Sequence, residues 1–327
     1  MKKARKEKLF VELKTMSLFP IFIIAGPTAS GKTGFAIELS ENFKKKGVCC
    51  EIINADSIQL YGDLKILSAF PSPDEMSRVP HHLFGILRPF ETYSVGKWRK
   101  VAQAKIDELH RQGKVPILCG GTGFYLNAII RGIAKIPDVP ASYRKEVLER
   151  FQKIGREKFM ELLLKLDPDN KLNPNNTQRI LRAYEVVSFT GTPLSYWWNQ
   201  GNNSKYKNIK TLIQLPPKEK LRENILKRAV QMVNNGAMEE VQAFLSRYPN
   251  YNGPLDRVIG FTELREFLSK KISLEELIDR MVIRTRQYAK RQSTWFKNQI
   301  PDAKFVEGGP DMIREFSDFY LSIDNKL

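Results

Sequence analysis

The sequence predicts an α/β fold: a mainly parallel β-sheet with flanking helices and one inserted helical domain. Short apolar runs alternate with helical segments in the first part of the chain. A charged region without strand signals follows, and one further apolar run comes after it. Alternating strands and helices are typical of a parallel sheet that is covered on both faces. We therefore expect two chain segments to build one core around an insert.

The first core segment contains three predicted strands, at residues 21–25, 51–55 and 115–119. Helical periodicity predicts one helix over 33–46, which stops before Gly47, and another over about 95–112. The second helix ends before Gly113, because glycine readily adopts the left-handed conformation that closes a helix. These elements follow one another as expected for strands that are joined by crossover helices.

The strand signals stop around residues 134–140, and the chain is predicted to be helical and highly charged to about residue 198. Residues 199–208 are a predicted polar linker, and 209–215 a strand that returns to the sheet. The remainder is predicted to be helical, notably over 219–233, 239–245 and about 274–296. The predicted domains are a core of residues 16–136 and 205–320 and a helical insert of residues 137–204.

Composition favours a polyanionic partner away from membranes. The 327 residues are 42% hydrophobic, and no apolar run approaches the roughly 20 residues of a membrane-spanning helix. The net charge of +17, from 53 basic and 36 acidic residues, favours binding to phosphate-rich molecules. The alternative is that a lysine-rich surface merely keeps the protein soluble, and the charge alone does not distinguish the two.

The N-terminus and the cysteines predict a cytoplasmic protein. Lysines and an arginine precede the apolar run 18–25, as in a secretory signal, but the run contains Pro20 and lacks a small-residue cleavage site. Cys49, Cys50 and Cys119 have no metal-ligand spacing, and adjacent cysteines do not readily bridge each other. A reduced compartment fits this pattern.

Residues 26–33 read GPTASGKT and match the phosphate-binding pattern G-x-x-x-x-G-K-[ST] between a predicted strand and a predicted helix. Backbone N–H groups of such a loop turn towards phosphate, and the helix N-terminus adds a favourable dipole. Lys32 supplies a positive charge, and the Thr33 hydroxyl can ligate Mg²⁺. The core is therefore predicted to be of the P-loop type. The predicted diphosphate contacts are Gly26, Thr28, Ala29, Ser30, Gly31, Lys32 and Thr33.

The loop binds a di- or triphosphate but does not show whether phosphorus or carbon is attacked. The strand 115–119 bears on this question. ATPases usually have a Mg²⁺-binding Asp at the end of such a strand, whereas here it runs into Gly120-Gly121-Thr122-Gly123. ATP hydrolysis is therefore disfavoured. Thr122 is placed to hydrogen-bond a nucleophile or a phosphate. The alternative is that Gly120 and Gly121 simply form a tight turn with positive φ.

Asp56 follows the predicted strand 51–55, at the sheet edge where open α/β folds build their sites. One interpretation makes it a general base that accepts a proton from an attacking amine as a diphosphate leaves. A second has it bind Mg²⁺ or orient a hydroxyl, as in small-molecule kinases. A third makes it only a helix cap.

Two helical segments suit nucleic acid. Helical spacing on the C-terminal helix places cations along two faces, Arg280, Arg284 and Arg291 along one, and Arg286, Lys290 and Lys297 along another. On the same helix Tyr288 and Trp295 can stack on bases, although Trp295 at this spacing also fits a buried core. In the insert, Asn176 caps a helix that presents Gln178, Arg179 and Arg182.

Taken together, eight stretches resemble the tRNA dimethylallyltransferases in order and spacing over nearly the whole chain: residues 26–33, 56–61, 80–82, 120–125, 167–168, 178–180, 259–260 and 285–295. The resemblance implies a prenyltransferase that moves a dimethylallyl group from its diphosphate to the exocyclic amine of the adenosine 3′ of the anticodon. The implied substrates are tRNAs that read codons beginning with U, with Mg²⁺ as cofactor and the insert on the anticodon stem-loop. We also expect a monomer.

The resemblance implies a role for each matching residue. Asp56 would be the general base, with Thr122 and Lys32 also catalytic. The implied tRNA contacts are Asp56, Ser57, Ile58, Gln59, Thr122, Arg144, Gln178, Arg179, Ile180, Leu181, Arg182, Arg257, Gly260, Arg284, Arg286 and Lys290.

The sequence departs from the family pattern at two positions, since Gly62 stands where the family typically has Arg and Phe70 where it typically has Lys. Both changes remove a cation near the predicted cleft. Two other classes of protein explain part of the pattern. A P-loop small-molecule kinase would use the loop and Asp56 but not the basic helices, and a non-catalytic RNA-binding protein would use the charge but not the loop.

Overall fold

The computed structural model describes residues 19–199, 204–300 and 302–324. The basic N-terminal stretch and residues 200–203 of the predicted linker lie outside the described residues. No helix of the described chain is long and apolar enough to cross a membrane.

A six-stranded parallel sheet forms the centre of the described core, and the predicted α/β class is confirmed. Its spatial order is β3-β2-β4-β1-β5-β6, so β1 lies inside the sheet and pairs with β4 and β5. In that register Ile23 lies between Leu118 and Thr211. The strands are β1 (Ile21–Ala25), β2 (Cys50–Asn54), β3 (His81–His82), β4 (Val115–Gly120), β5 (Ile209–Gln214) and β6 (Lys304–Val306).

Alternate residues of the strands enter two separate cores because side chains of a strand point to opposite faces. Ile21 and Ile23 of β1 belong to one core, and Phe22 and Ile24 to the other. Phe22 packs on Phe43 and Phe316 with ring centroids 5.2 and 4.7 Å apart. Both faces of the sheet are therefore covered, as the continuous apolar runs of the sequence predict.

The helices follow the predicted segments with ends shifted by three residues or fewer, and several further helices are added. The core helices are α1 (Lys32–Lys45), α2 (Lys65–Ser68), α3 (Pro73–Arg78), α4 (Val95–Arg111) and α5 (Gly123–Ile130), then α9 (Lys218–Asn234), α10 (Ala237–Arg247), α11 (Phe261–Leu268), α12 (Leu274–Gln299) and α13 (Pro310–Asp324). The insert contains α6 (Ala141–Leu166), α7 (Thr177–Thr190) and α8 (Leu194–Asn199).

One part of the prediction is wrong: the C-terminal segment is not helical throughout, since β6 joins the edge of the sheet beside β5. The sequence also gave no sign of β3. These strands contain three and two residues, too few for an alternating pattern to be recognised.

The chain divides into two compact units, the second spanning Arg131–Ser204 and the first the remainder. The second unit has its own core, in which Phe159 and Tyr184 pack with ring centroids 4.5 Å apart. Helix α6 is interrupted at Gly155, whose φ of 77° breaks the helical path. The second unit begins at Arg131, six residues before the predicted start of the insert at residue 137.

Candidate active site

Residues 26–31 form the loop between β1 and α1, with Gly31 at the helix N-cap in the left-handed region (φ 91°), and Lys32 and Thr33 begin α1. Gly26 is required by close approach, since a Cβ there would lie 2.4 Å from the Gln214 carbonyl oxygen. Ala29 also has a positive φ (62°), and its carbonyl accepts a hydrogen bond from Asn224 Nδ2 of α9 at 3.1 Å. Thr28, Lys32 and Thr33 line an adjacent cleft.

The cleft has a volume of about 470 Å³ and opens at the carboxyl ends of the central strands. Its wall has three main parts. The first is the loop with Asp56, Ser57, Ile58, Gln59, Cys119 and Gly120; the second is one face of α9, formed by Ile225, Arg228, Ala229 and Met232; the third is one face of α12, formed by Met281, Arg284, Thr285, Tyr288 and Arg291. Both helical faces follow the i, i+3, i+4, i+7 spacing.

Asp56 lies in a loop two residues after the end of β2, and no helix begins there, so the helix-cap interpretation is wrong. Its backbone N–H donates to Asn54 Oδ1 at 2.7 Å, and its Oδ1 accepts from Ile58 N–H at 2.9 Å. Within the described chain Oδ2 accepts no hydrogen bond. The carboxylate is thus held by one oxygen, which leaves the other for a substrate proton.

Lys32 and Arg228 give the cleft its positive charge. Lys32 Nζ donates to the Pro27 carbonyl at 2.6 Å. Burial lowers the pKa of Lys32 to about 8, with the nearby Arg228 acting in the same direction and Cys119 and Asp56 opposing it. Burial also lowers the pKa of Arg228, which Asp56 partly offsets. An anion between these two cations would relieve their repulsion and the cost of their burial.

Thr122 forms hydrogen bonds to the residues on either side of Asp56. Its Oγ1 accepts from Ser57 N–H at 2.9 Å and donates to Ser57 Oγ at 3.3 Å, while its own N–H donates to the Ala55 carbonyl at 3.1 Å. The structure therefore places Thr122 beside Asp56 through Ser57.

The glycines of this turn are explained by close packing and not by positive φ. A Cβ on Gly120 would lie 2.2 Å from the carbonyl carbon and oxygen of Ala55, and one on Gly123 would lie 2.1 Å from the Trp295 ring. Gly120, Gly121 and Gly123 all lack a positive φ. The tight-turn interpretation is corrected accordingly, and Trp295 packs against this turn.

The cations of α12 divide into two groups. Arg280 pairs with Glu266 and Glu276, and Arg284 pairs with Glu263, which is only 4% exposed. Arg286 and Lys290 are exposed, and Arg291 is an exposed residue at the cleft. Arg284 therefore has a structural partner as well as a place in the cleft wall.

Helix α11 is preceded by a segment that also reaches the cleft. Arg257, Val258 and Ile259 line it, and Arg257 is exposed. Gly260 is buried at the N-cap of α11 with φ 98°, and a Cβ there would lie 2.8 Å from Leu67. Among these residues Arg257 is thus presented to a ligand, whereas Gly260 shapes the turn behind it.

Within the second unit the predicted tRNA contacts differ in exposure. Arg144 of α6 and Gln178 and Arg179 of α7 are exposed, and the Asn176 side chain caps α7 by accepting from Arg179 N–H at 3.2 Å. Arg182 and Leu181 are partly buried, and Arg182 pairs with Glu185. Ile180 is fully buried in the core of this unit, so its side chain supports the helix and is not presented to a ligand.

The two departures from the family pattern pack around Gly85. A Cβ on Gly85 would lie 3.3 Å from Gly62 Cα and 3.4 Å from the Phe70 ring. Phe70 also packs edge-on against Phe84, which lines the cleft, with ring centroids 5.5 Å apart. Lys65 Nζ lies 5.3 Å from the Phe70 ring centroid. An aromatic contact thus occupies the place of the missing cation.

Two residues with functional chemistry were missed in the sequence, one in the cleft wall and one buried behind it. Arg228 shares one face of α9 with Ile225, Ala229 and Met232, and a lone Arg on an otherwise apolar helical face was a usable signal. Gln292 of α12 is 6% exposed and bonds to the loop and to Gly121. Its contacts are far apart in sequence, so no local pattern could have identified it.

A metal ion in this cleft would be coordinated mainly by the phosphate oxygens of a bound substrate. In the described residues no cluster of three His, Cys, Asp or Glu side chains could hold one. The cleft does offer the Thr33 hydroxyl and the Asp56 carboxylate. Mg²⁺ commonly uses few protein ligands together with phosphate oxygens and water, so these residues fit Mg²⁺. Burial raises the pKa of the Cys119 thiol to about 12, which keeps it protonated.

Comparisons with known proteins identify the family. The family model described as IPP transferase matches residues 59–299, and the one described as isopentenyl transferase matches residues 19–90. The tRNA dimethylallyltransferase of Pelagibacter ubique is 41% identical over 86% of this chain and 89% of that protein. That of Rhodospirillum centenum is 37% identical over 94% of this chain and 97% of that protein.

Solved structures give the same result. A eukaryotic dimethylallyltransferase that acts on tRNA matches with a TM-score of 0.75 and 30% identity, over 88% of this chain and 73% of that one. The tRNA isopentenylpyrophosphate transferase of Bacillus halodurans matches with a TM-score of 0.66 and 31% identity, over 94% of this chain and 97% of that one. The chain therefore belongs to the IPP transferase family, the family of the tRNA dimethylallyltransferases.

Proposed function

We propose that this protein transfers a dimethylallyl group from dimethylallyl diphosphate to the exocyclic amine of the adenosine 3′-adjacent to the anticodon, in tRNAs that read U-initial codons. The observation that carries the proposal is one cleft that Lys32, Arg228 and the phosphate loop line together with Asp56. Family membership supports tRNA as the substrate. A small-molecule kinase is not favoured, because the relatives that this chain matches at 37–41% identity are tRNA dimethylallyltransferases.

The reaction exchanges one bond to carbon for another. The adenine amine attacks the terminal allylic carbon, the bond from that carbon to the diphosphate oxygen breaks, and the electron pair leaves with the diphosphate. Lys32, Arg228 and the N–H groups at the N-terminus of α1 stabilise the charge that grows on this leaving group. Their contribution is greatest when the bond is breaking, which is when it lowers the barrier.

Asp56 is the general base. Its Oδ1 is held by the Ile58 N–H, and its second oxygen takes the proton that the amine loses as the C–N bond forms. Thr122 keeps Ser57, and so Asp56, at the end of β2. Cys119 lines the same cleft, but its thiol stays neutral and is no rival base or nucleophile.

Mg²⁺ fits the proposal as a cofactor of the diphosphate. When bound, it neutralises charge on the diphosphate oxygens and so favours their departure. Thr33 and the diphosphate would be its ligands. Lys32 and Arg228 then supply the positive charge of the protein in the cleft.

The base to be modified must leave the stack of the anticodon loop, a smaller cost there than in a duplex. We assign to tRNA binding the exposed cations Arg257, Arg286 and Lys290 of the first unit and Arg144 and Arg179 of the second. One chain supplies both the cleft and these cations, so the proposal needs only a monomer. Since tRNA is the substrate, we place the reaction in the cytoplasm.

The test is an assay of tRNA with dimethylallyl diphosphate and Mg²⁺, followed by mass analysis of the nucleosides. We expect a dimethylallyl increment on adenosine. The variant Asp56→Asn keeps an oxygen for the Ile58 N–H but removes the base, so transfer should fall by about 100-fold or more while binding of tRNA is retained. Asp74→Asn, at an exposed position of α3, is the matched control.

Three outcomes would contradict the proposal. The first is wild-type protein that leaves adenosine unmodified. The second is ATP turnover in its place, which would support the kinase. The third is an equal loss of transfer and of tRNA binding in Asp56→Asn, which would make Asp56 structural.

A further inference from the structure

The side chain of Gln292 joins the phosphate loop to the turn after β4. It lies on α12 and is 6% exposed. Its Oε1 accepts from Thr28 N–H of the phosphate loop at 2.8 Å, and its Nε2 donates to the Gly121 carbonyl at 2.9 Å. Reversing the amide would oppose donor to donor and acceptor to acceptor, so the two partners fix its orientation.

The connection continues from Gly121 to Asp56. Thr122, the next residue, accepts from Ser57 N–H at 2.9 Å, and Ser57 directly follows Asp56. The phosphate loop and the carboxylate are therefore linked by a short route of hydrogen bonds through Gln292 and Thr122. The direct chain connection between Thr28 and Asp56, in contrast, runs through the whole of α1 and β2.

The residues around Gln292 leave room for its hydrogen bond to Gly121. A Cβ on Gly121 would lie 2.3 Å from Nε2, so the amide reaches the carbonyl only because residue 121 is glycine. The Thr28 N–H is occupied by Gln292 and therefore does not point at a phosphate. Of the loop residues predicted to bind the diphosphate, Thr28 thus uses its amide for positioning, although it also lines the cleft.

We propose that Gln292 is a positioning residue that holds the leaving-group loop at the correct distance from the base. The inference rests on the proposed function, because a loop and a base must be aligned only if both act on one pair of reacting groups. Misplacement by about 1 Å at such a site can cost about 100-fold in rate. Gln292 touches neither substrate, so its loss should leave binding intact.

The first experiment separates alignment from binding. Gln292→Met has a similar volume and can make neither hydrogen bond. We expect its single-turnover transfer rate, at saturating tRNA and dimethylallyl diphosphate, to fall by about 100-fold. Its Kd values for tRNA and for pyrophosphate should match those of the wild type. Gln299→Glu, at an exposed position of the same helix, should behave as the wild type.

The second experiment gives a signature that a merely structural residue would not produce. In Gln292→Glu an ionised carboxylate can accept from Thr28 but opposes the Gly121 carbonyl. A protonated carboxyl group again has one acceptor and one donor. Burial beside a carbonyl raises the pKa of such a group. The ratio of variant to wild-type transfer rates should therefore rise as the pH is lowered from about 8 to about 5.5.

The outcomes are distinct. A ratio that does not change with pH in folded Gln292→Glu, or a wild-type rate in Gln292→Met, would overturn the positioning role while the proposed function stands. A large loss of pyrophosphate binding in Gln292→Met would also overturn it, because Gln292 would then belong to the binding site. A wild-type protein that transfers no dimethylallyl group would refute the proposed function itself.

Discussion

The ammonium group of Lys32 is the charged group that contributes most directly to the proposed diphosphate binding in the cleft. It lies beside Arg228 and close to Asp56, and it donates to its own loop at Pro27. Its pKa of about 8 reflects burial first, and the cation of Arg228 adds to the effect. A lysine in this state gains more than an exposed one when a diphosphate arrives, because the anion offsets the cost of its charge.

This pKa predicts how diphosphate binding varies with pH. Because the pKa of Lys32 is about 8 in place of 10.5, the amine is mostly charged below pH 8 and loses its proton as the pH rises through that value. Affinity for pyrophosphate in the wild type should therefore decline above about pH 8, relative to Lys32→Arg, whose guanidinium stays charged. Titration calorimetry from about pH 7 to about pH 9.5 measures this ratio.

The comparison with Lys32→Arg removes the titration of pyrophosphate itself, which is common to both proteins. Lys45→Arg, on the exposed end of α1, controls for the exchange of the cation type elsewhere. Parallel pH curves for the wild type and Lys32→Arg would mean that Lys32 keeps an ordinary pKa in the free protein.

At the scale of elements, the close approach of β4 to β2 determines where Thr122 and Asp56 meet. The two strands pair in parallel, and the Ala55 N–H donates to the Cys119 carbonyl at 2.8 Å. Gly120 then passes so near Ala55 that no side chain fits between them. The glycines 120 and 123 are therefore spacers for packing, and Gly123 serves Trp295 of α12 in the same way.

We predict opposite effects for two glycine-to-alanine changes. Gly120→Ala would place its Cβ 2.2 Å from backbone atoms of Ala55, and the strands would have to separate, at a cost of about 2–3 kcal/mol in the free energy of unfolding. Gly34→Ala meets no atom within 4 Å inside α1 and should stabilise the protein by about 0.5–1 kcal/mol. Urea unfolding measures both. Equal effects of the two changes would contradict this account of Gly120.

Elements with a clear local signal were predictable from the sequence, and the others were not. Strand β1, helix α1 and the loop 26–33 have apolar runs and a motif in direct succession, so their positions followed from the sequence alone. Strands β3 and β6 are defined by pairing with β2 and β5, which no short window shows. The contacts of Gln292 with Thr28 and Gly121 likewise depend on tertiary packing.

For the molecule as a whole, the excess of positive charge favours binding of a long polyanion. The net charge is +17, although several cations are neutralised locally, such as Arg284 by Glu263 and Arg182 by Glu185. The exposed cations that remain can contact phosphates and release counterions. Binding of tRNA should therefore be far more sensitive to salt than binding of pyrophosphate, which depends on a few cations inside the cleft.

Arg179 tests this difference. It is exposed at the start of α7 in the second unit, whereas the phosphate loop lies in the first. If Arg179 contacts one phosphate, Arg179→Ala should weaken tRNA binding and reduce the slope of log K against log salt by about 0.7–1. Pyrophosphate binding should be unchanged, and Lys45→Ala on α1 is the control for loss of one exposed charge. Affinity for tRNA and a salt slope that both equal the wild type would exclude Arg179 from the tRNA interface, because a phosphate contact cannot be lost without releasing fewer counterions.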